Sequence, residues 1–209
     1  MNKFKSRKTK RNFNRRSPQI SGDIILIVCE GSKTEPNYFN DLKKRMRIPA
    51  AQIKVIGKEC GSAPISVVDF AIEEKKNTQY LKYDQIWCVI DTDKHKTLFE
   101  ALNKASGNDI KIALSCPSFE FWYLLHYIYT TRNFNSSKTL IKELENCMKK
   151  KYDKADVPFD ELYPKMNTAI QNAAKIDMYN KQSNKNSPST KVHLLINELL
   201  KIKEEREKR

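Results

Sequence analysis

Short apolar runs alternate with helix-like stretches through the first half of the chain, and this alternation restricts the fold more than any other feature. The runs are rich in β-branched side chains, as buried strands are. Strands are predicted at 24–29, 53–56, 85–90 and 110–115, and helices at 34–47, 63–79 and 96–105. Strands that alternate with helices form parallel sheets with helices on both faces. The sequence therefore predicts an α/β fold with a mainly parallel sheet.

The pattern becomes helical in the second half of the chain. Helices are predicted at 117–129, at 137–151, at roughly 159–176 and from near Ser189 onward, with a polar loop before the last one. Three regions follow from this pattern. They are a disordered basic arm at 1–22, an α/β core at 23–130, and a helical C-terminal region at 131–209 packed on the core.

The arm concentrates positive charge in a chain whose formal net charge is +14. Its first sixteen residues contain no acid and eight basic residues: Lys3, Lys5, Arg7, Lys8, Lys10, Arg11, Arg15 and Arg16. A segment with so little apolar surface does not fold by itself. Two interpretations stay open, namely an arm that binds nucleic-acid phosphates and a solvated tail.

Several classes of protein are disfavoured by the sequence. No apolar run reaches the roughly 18 residues of a membrane span, and the basic N-terminus lacks the apolar stretch of a signal peptide. The five cysteines are dispersed without a CxxC pair, which argues against a disulfide framework and a structural zinc site. The GSKT at 31–34 is only part of a P-loop, and GxGxxG is absent. We expect a soluble, cytoplasmic protein.

Acidic residues follow two of the predicted strands. Glu30 ends the first strand, and Asp91 and Asp93 end the third. Reactive sites in open parallel sheets lie beyond the carboxyl ends of the strands. If the first and third strands are neighbours, the three carboxylates converge, and a divalent cation such as Mg²⁺ or Mn²⁺ would offset their mutual repulsion. Each motif taken alone also suits a turn or a cap.

Four motifs in the right order carry a family resemblance. VCEGSKTEPNYF, from Val28, and VIDTDKH, from Val89, resemble the Glu and Asp-x-Asp motifs of the TOPRIM fold. Together with SCPSFEFWYLLHY (115–127) and NSPSTKVHLLINEL (186–199), they make the chain similar to the RloB-like family of bacterial phage-defence and abortive-infection proteins. The resemblance covers residues 24 to about 199 and implies a TOPRIM-like core.

The resemblance also implies residue roles. Glu30 would be a metal ligand or a general acid/base at a phosphodiester, and Asp91 and Asp93 would hold Mg²⁺. Glu35 lies near the same edge and would orient a ligand or a bound water. A first-turn acid that stabilises its own helix dipole is the alternative for Glu35.

Glu120 is a further candidate ligand. Pro117 is a favourable first helical residue, which would place Glu120 in the opening turn after the fourth strand, near Glu30. There it could bind a second metal ion, since two-metal nucleases need neighbouring sites. Alternatively, it stabilises its own helix dipole. Ser189 and Thr190 suit a helix N-cap, with amides that could also receive a phosphate.

The histidines give weaker signals. His126, on an apolar helix, suits the core. His95 suits either a phosphate contact or the surface, and His193 is left without a role.

The function implied by the resemblance is that of a Mg²⁺-dependent TOPRIM-type nuclease in phage defence. RNA such as tRNA is favoured over DNA by analogy with related defence nucleases. The alternative is a non-cleaving nucleic-acid-binding or regulatory subunit of an ATPase-containing defence complex. In either case the resemblance implies a possible RloA-type ATPase partner.

Overall fold

The computed structural model describes residues 23–50, 52–57, 59–61, 63–77, 82–92, 96–156 and 158–208. Its first half alternates strands and helices in the predicted order. The strands are β1 (Ile25–Cys29), β2 (Ile53–Ile56), β3 (Gln85–Asp91) and β4 (Lys111–Cys116), and the helices between them are α1 (Thr34–Arg45), α2 (Pro64–Asn77) and α3 (Leu98–Ser106). Strand positions agree with the predictions to within about one residue, while α1 ends earlier and α3 begins later than predicted. The α/β prediction is confirmed.

The strands form one five-stranded sheet in the order β2-β1-β3-β4-β5. Strands β1 to β4 are parallel, and β1 lies between β2 and β3. The fifth strand, β5 (Ser189–Thr190), pairs antiparallel with the end of β4. The predicted N-cap at Ser189 and Thr190 is therefore wrong. These two residues form strand pairs with Cys116 and Ser115, and the helix cap is Lys191.

Each face of the sheet is covered by helices. All five residues of β1 are buried because alternate side chains enter two separate cores. Ile25, Ile27 and Cys29 belong to one core, together with residues of α1 and the C-terminal helices. Leu26 and Val28 belong to the other, with residues of α2 and α3. This double coverage explains why the run IILIVC shows no polar alternation.

The C-terminal half is helical, but it is divided differently from the prediction. Its helices are α4 (Glu120–Leu124), α5 (Ser137–Met148), α6 (Phe159–Leu162), α7 (Met166–Ser183) and α8 (Val192–Glu207). A 3-10 turn at Tyr163–Lys165 separates α6 from α7, at the position of Pro164, which has no N–H for a helical hydrogen bond. The helix predicted at 117–129 is only five residues long. Pro117 is therefore not its first residue.

None of the helices in the described part of the chain is long and apolar enough to cross a membrane.

Candidate functional site

Glu30 and Asp91 meet where β1 and β3 end. The Glu30 amide donates to the Val89 carbonyl at 3.0 Å, which continues the pairing of the two strands by one residue. The Asp91 amide in turn donates to Glu30 Oε2 at 3.0 Å. The carboxylates that follow the first and third strands can converge only if these strands are neighbours, and β1 pairs directly with β3. Asp93 and His95 lie outside the described residues.

Glu35 brings a third carboxyl group to this edge. It lies in the first turn of α1 and is 7% exposed. Its carboxyl group packs directly against Gly31, where an added Cβ would lie 2.7 Å from Glu35 Cδ and closer still to Oε2. Burial raises the pKa of Glu35 from 4.5 to about 7, with smaller contributions from the negative charges of Glu120 and Glu30. Glycine at position 31 therefore leaves room for the carboxyl group of Glu35.

Glu120 is the fourth carboxyl group. It is 2% exposed and begins α4, immediately beyond β4. Ser118 Oγ donates to Glu120 Oε2 at 2.6 Å, and Tyr152 Oη donates to Oε1 at 3.3 Å. Lys154 Nζ lies 3.5 Å from the same Oε1 atom. Glu120 opens a helix after the fourth strand as expected, although the helix starts three residues after Pro117.

The carboxyl group of Asp91 lies within electrostatic range of the other three, and we call Glu30, Glu35, Asp91 and Glu120 the carboxylate cluster. Burial raises the pKa of the Asp91 carboxyl group well above the usual range, and the charges of Glu35, Glu120 and Glu30 add to the effect. A hydrogen bond from the Phe119 amide opposes this rise. Asp91 Oδ1 is buried and has no hydrogen-bond partner among the described residues. A buried oxygen without a partner is costly, and a bound cation would satisfy it.

The donor chemistry at this edge suits a hard divalent cation. All the candidate ligands are carboxylate oxygens, which Mg²⁺ and Mn²⁺ prefer over softer ligands. Within residues that the structure describes, no three His, Cys, Asp or Glu side chains already form a metal cluster. Asp93 was predicted to complete the ligand set with Glu30 and Asp91, and it falls in the gap at 93–95.

Tyr152 and Lys154 reach the site from a loop that sequence reasoning did not connect to it. They follow α5 and lie more than thirty positions after Glu120. The loop is held against α1 by a hydrogen bond from Asn37 Nδ2 to the Ala155 carbonyl at 3.4 Å. Lys154 also lowers the pKa of Glu35 slightly through its positive charge. No local motif marks either residue, and only the tertiary fold brings them to Glu120.

Two histidines lie inside the protein. His126 is 2% exposed, with Nδ1 2.9 Å from the Trp122 carbonyl, and burial lowers its pKa to about 4. The prediction of a core residue is thus met. His193 Nδ1 lies 3.1 Å from the Thr190 carbonyl, and its Nε2 lies 3.5 Å from Asp177 Oδ2. The eight basic residues of the arm fall outside the described residues.

One comparison with known proteins gives a match. The family model described as RloB-like protein matches residues 25–199, which is most of the chain. Neither the curated proteins nor the solved structures contain a match. The matched range includes β1, the carboxylate cluster and β5.

Proposed function

The chain belongs to the RloB-like family, and from this premise we propose that it is a Mg²⁺- or Mn²⁺-dependent nuclease of TOPRIM type that acts in phage defence. The proposed substrate is nucleic acid, with RNA such as tRNA favoured over DNA, and the proposed location is the cytoplasm. A RloA-type ATPase is the proposed partner.

The observation that carries the proposal is the proximity of three carboxyl groups, Glu30, Glu35 and Glu120, to Asp91, whose buried Oδ1 has no hydrogen-bond partner among the described residues. Carboxyl groups that lie close together raise one another's pKa, and their negative charges destabilise the fold when nothing offsets them. Lys154 is the cation that contacts this cluster through Glu120 among the described residues. A divalent cation would supply the remaining positive charge, and the oxygen donors fit it.

Each residue at the edge has a proposed role. Glu30 and Asp91 would hold the first cation, together with Asp93, and Glu120 would hold a second. When bound, the cation would polarise a phosphodiester and lower the pKa of an attacking water. Glu30 is oriented for this role because the Asp91 amide fixes its Oε2 atom.

Glu35 would transfer a proton, and Lys154 would contact the negative charge of the substrate. With a pKa of about 7, the Glu35 carboxyl group can hold or release a proton near neutral pH, as a general acid or base requires. The Lys154 side chain is 62% exposed, so its ammonium group can contact a substrate phosphate while it remains beside Glu120.

The test is a cleavage assay with the full chain. The protein is incubated with Mg²⁺ or Mn²⁺ and with tRNA, plasmid DNA or single-stranded DNA, and the products are separated on gels. We expect metal-dependent cleavage that is lost in Glu30→Gln and Asp91→Asn, because each substitution removes charge with little change in volume. Glu100→Gln, an exposed substitution on α3, is the matched control and should cleave normally. Cleavage by Glu30→Gln at the unaltered rate would contradict the assignment.

A regulatory subunit that binds nucleic acid without cutting it remains the second candidate. The family match supports this candidate as well, because the family description names no activity. A melting curve with and without Mg²⁺ separates metal binding from cleavage, because a cation that binds the folded chain raises the melting temperature. Stabilisation by Mg²⁺ without cleavage of any of the three substrates would favour the regulatory subunit.

A further inference from the structure

A strongly basic groove lies at the far end of α1, away from the carboxylates. It has a volume of about 460 Å³ and is lined by residues from the ends of α1 and α8: Arg45, Met46, Arg47, Lys203, Arg206 and Glu207. Four of these six side chains are cationic and one is acidic. The groove therefore concentrates positive charge at a site formed by two elements that are distant in sequence.

The arginines of the basic groove are held in place without being neutralised. Arg206 donates from its guanidinium to the Arg47 carbonyl, which ties α8 to the chain that follows α1. The guanidinium of Arg45 lies over the Tyr163 ring, 5.1 Å from its centroid. Of the four cations, Lys203 forms an ion pair, with Glu207 at 3.6 Å. In the described part of the chain, Arg45, Arg47 and Arg206 have no carboxylate partner.

The favourable interaction of cations with helix C-termini explains the positions of only two of the four cationic residues in the basic groove. Cations near a helix C-terminus are favourable, and Arg45 and Arg206 lie in the last turns of α1 and α8. Arg47, however, lies beyond the end of α1, with a left-handed φ of 55°, and Lys203 lies more than one turn before the end of α8. Four like charges facing one groove repel each other, and an anion would offset that repulsion.

Two further cavities lie along α1, between the basic groove and the loop that carries Lys154. One is lined by Asn37, Asn40, Asp41, Lys44, Ala155 and Asp156, and thus borders the loop that carries Lys154. The next shares Asp41 and Lys44 with it and continues to Arg45, which also lines the basic groove. The twelve residues of α1 span about 18 Å, which is the length of a few nucleotides of extended single strand.

We propose that the basic groove binds backbone phosphates of a nucleic acid, one helix length away from the carboxylate cluster. The inference rests on the proposed function in taking nucleic acid as the polyanion, but it requires no cleavage. Arginine suits this task because its planar guanidinium donates several hydrogen bonds to phosphate oxygens. The neighbouring cavities are lined by acids, namely Asp41 on α1 together with Asp156 and Asp160 from outside this helix, which limits the phosphate contacts to the basic groove.

The test measures binding of a fluorescently labelled single-stranded RNA by anisotropy, in EDTA, over a series of salt concentrations. The variant is Arg47→Gln with Arg206→Gln in the full chain. The control is Lys175→Gln with Lys181→Gln, which removes the same charge from exposed positions on α7 that do not line the groove. If the two arginines contact two phosphates, the slope of log K against log salt falls by about 1.4 in the groove variant. The control pair should keep the full slope.

A second arm separates nucleic acid from a small anion. Inorganic phosphate is titrated by calorimetry into the unaltered chain and into the groove variant, and we expect equally weak binding to both. A groove variant with the slope of the control, an unaltered chain that does not bind the RNA, or phosphate binding that only the unaltered chain shows would each overturn the inference. Because cleavage is not measured in EDTA, a failure of the nuclease proposal would appear only in the assay with Mg²⁺.

Discussion

Gly31 follows Glu30 directly, and the carboxyl group of Glu35 packs against its Cα. The sequence Glu-Gly after a strand is common in turns and carries little information alone. The structure gives it a specific reason, since Glu35 lies where a side chain at position 31 would have to be. The glycine is thus required by the close approach of a carboxyl group and not by an unusual φ.

Gly31→Ala should therefore destabilise the fold. Glu35 is buried and cannot move into solvent without exposing its surroundings, so we expect a loss of about 1–3 kcal/mol, as for other overpacked sites. Urea unfolding measures the change, and the double variant with Glu35→Ala should recover most of it. Gly107→Ala is the control, because an added Cβ there has its nearest contact at 3.6 Å. Equal effects of the two glycine substitutions would contradict the steric explanation.

The raised pKa of Glu35 predicts a pH dependence of stability in the metal-free chain. Between pH 4.5 and about 7 the folded chain retains a proton that the unfolded chain releases. The contribution of Glu35 to the free energy of unfolding should therefore be fully present below this range and fall as pH rises through it, by an amount on the order of 3 kcal/mol. The contribution of Asp91 to the free energy of unfolding also falls as pH rises, since its pKa is raised as well.

Urea unfolding in EDTA at several pH values measures this effect. In Glu35→Gln the free energy of unfolding should fall less steeply with rising pH. Above pH 7 this variant should be more stable than the unaltered chain, because glutamine resembles the protonated acid. Glu100→Gln should leave the decline as it is. If Glu35→Gln unfolds with the same pH dependence as the unaltered chain, the buried carboxyl group does not titrate as inferred.

At the scale of elements, the loop between α5 and α6 provides a cation for a buried acid on α4. Lys154 Nζ lies 3.5 Å from Glu120 Oε1, so a metal ion that bound this oxygen would compete with the ammonium group. Lys154→Met should therefore increase the affinity for Mg²⁺ several-fold in calorimetry. Lys154→Arg retains the charge and should leave the affinity unchanged. Weaker Mg²⁺ binding by Lys154→Met would show that the lysine supports the metal site.

The sequence predicts those elements whose pattern is local. The runs that become β1 to β4 are short, apolar and β-branched, and this pattern is sufficient to place them. Strand β5 could not be predicted because it has two residues, and its pairing with β4 depends on contacts with distant parts of the chain. Glu30 and Asp91 could be placed together because topology alone determines where parallel strands end. Tyr152 and Lys154 could not, since no periodicity connects a loop to a carboxylate on another helix.

At the scale of the whole molecule, the basic groove and the carboxylate cluster are two separate concentrations of charge. The formal net charge is +14, yet four acids lie together at one edge of the sheet. A basic surface attracts a polyanion over a distance of about one Debye length, whereas carboxylates contact phosphate favourably only through a cation. The basic groove and the carboxylate cluster lie at opposite ends of α1, so a bound strand could contact the basic groove without approaching the acids.

The N-terminal arm is the largest concentration of positive charge in the sequence, and deleting residues 1–16 tests its role. If the eight basic residues bind phosphates, the truncated chain should bind RNA more weakly, and the loss of even four contacts would reduce the salt slope by roughly 3. Cleavage at saturating substrate should persist, because the carboxylate cluster begins at Glu30. A solvated tail would give the full-length slope instead. Because the groove variant loses different charges, its reduction in slope should add to that of the truncation.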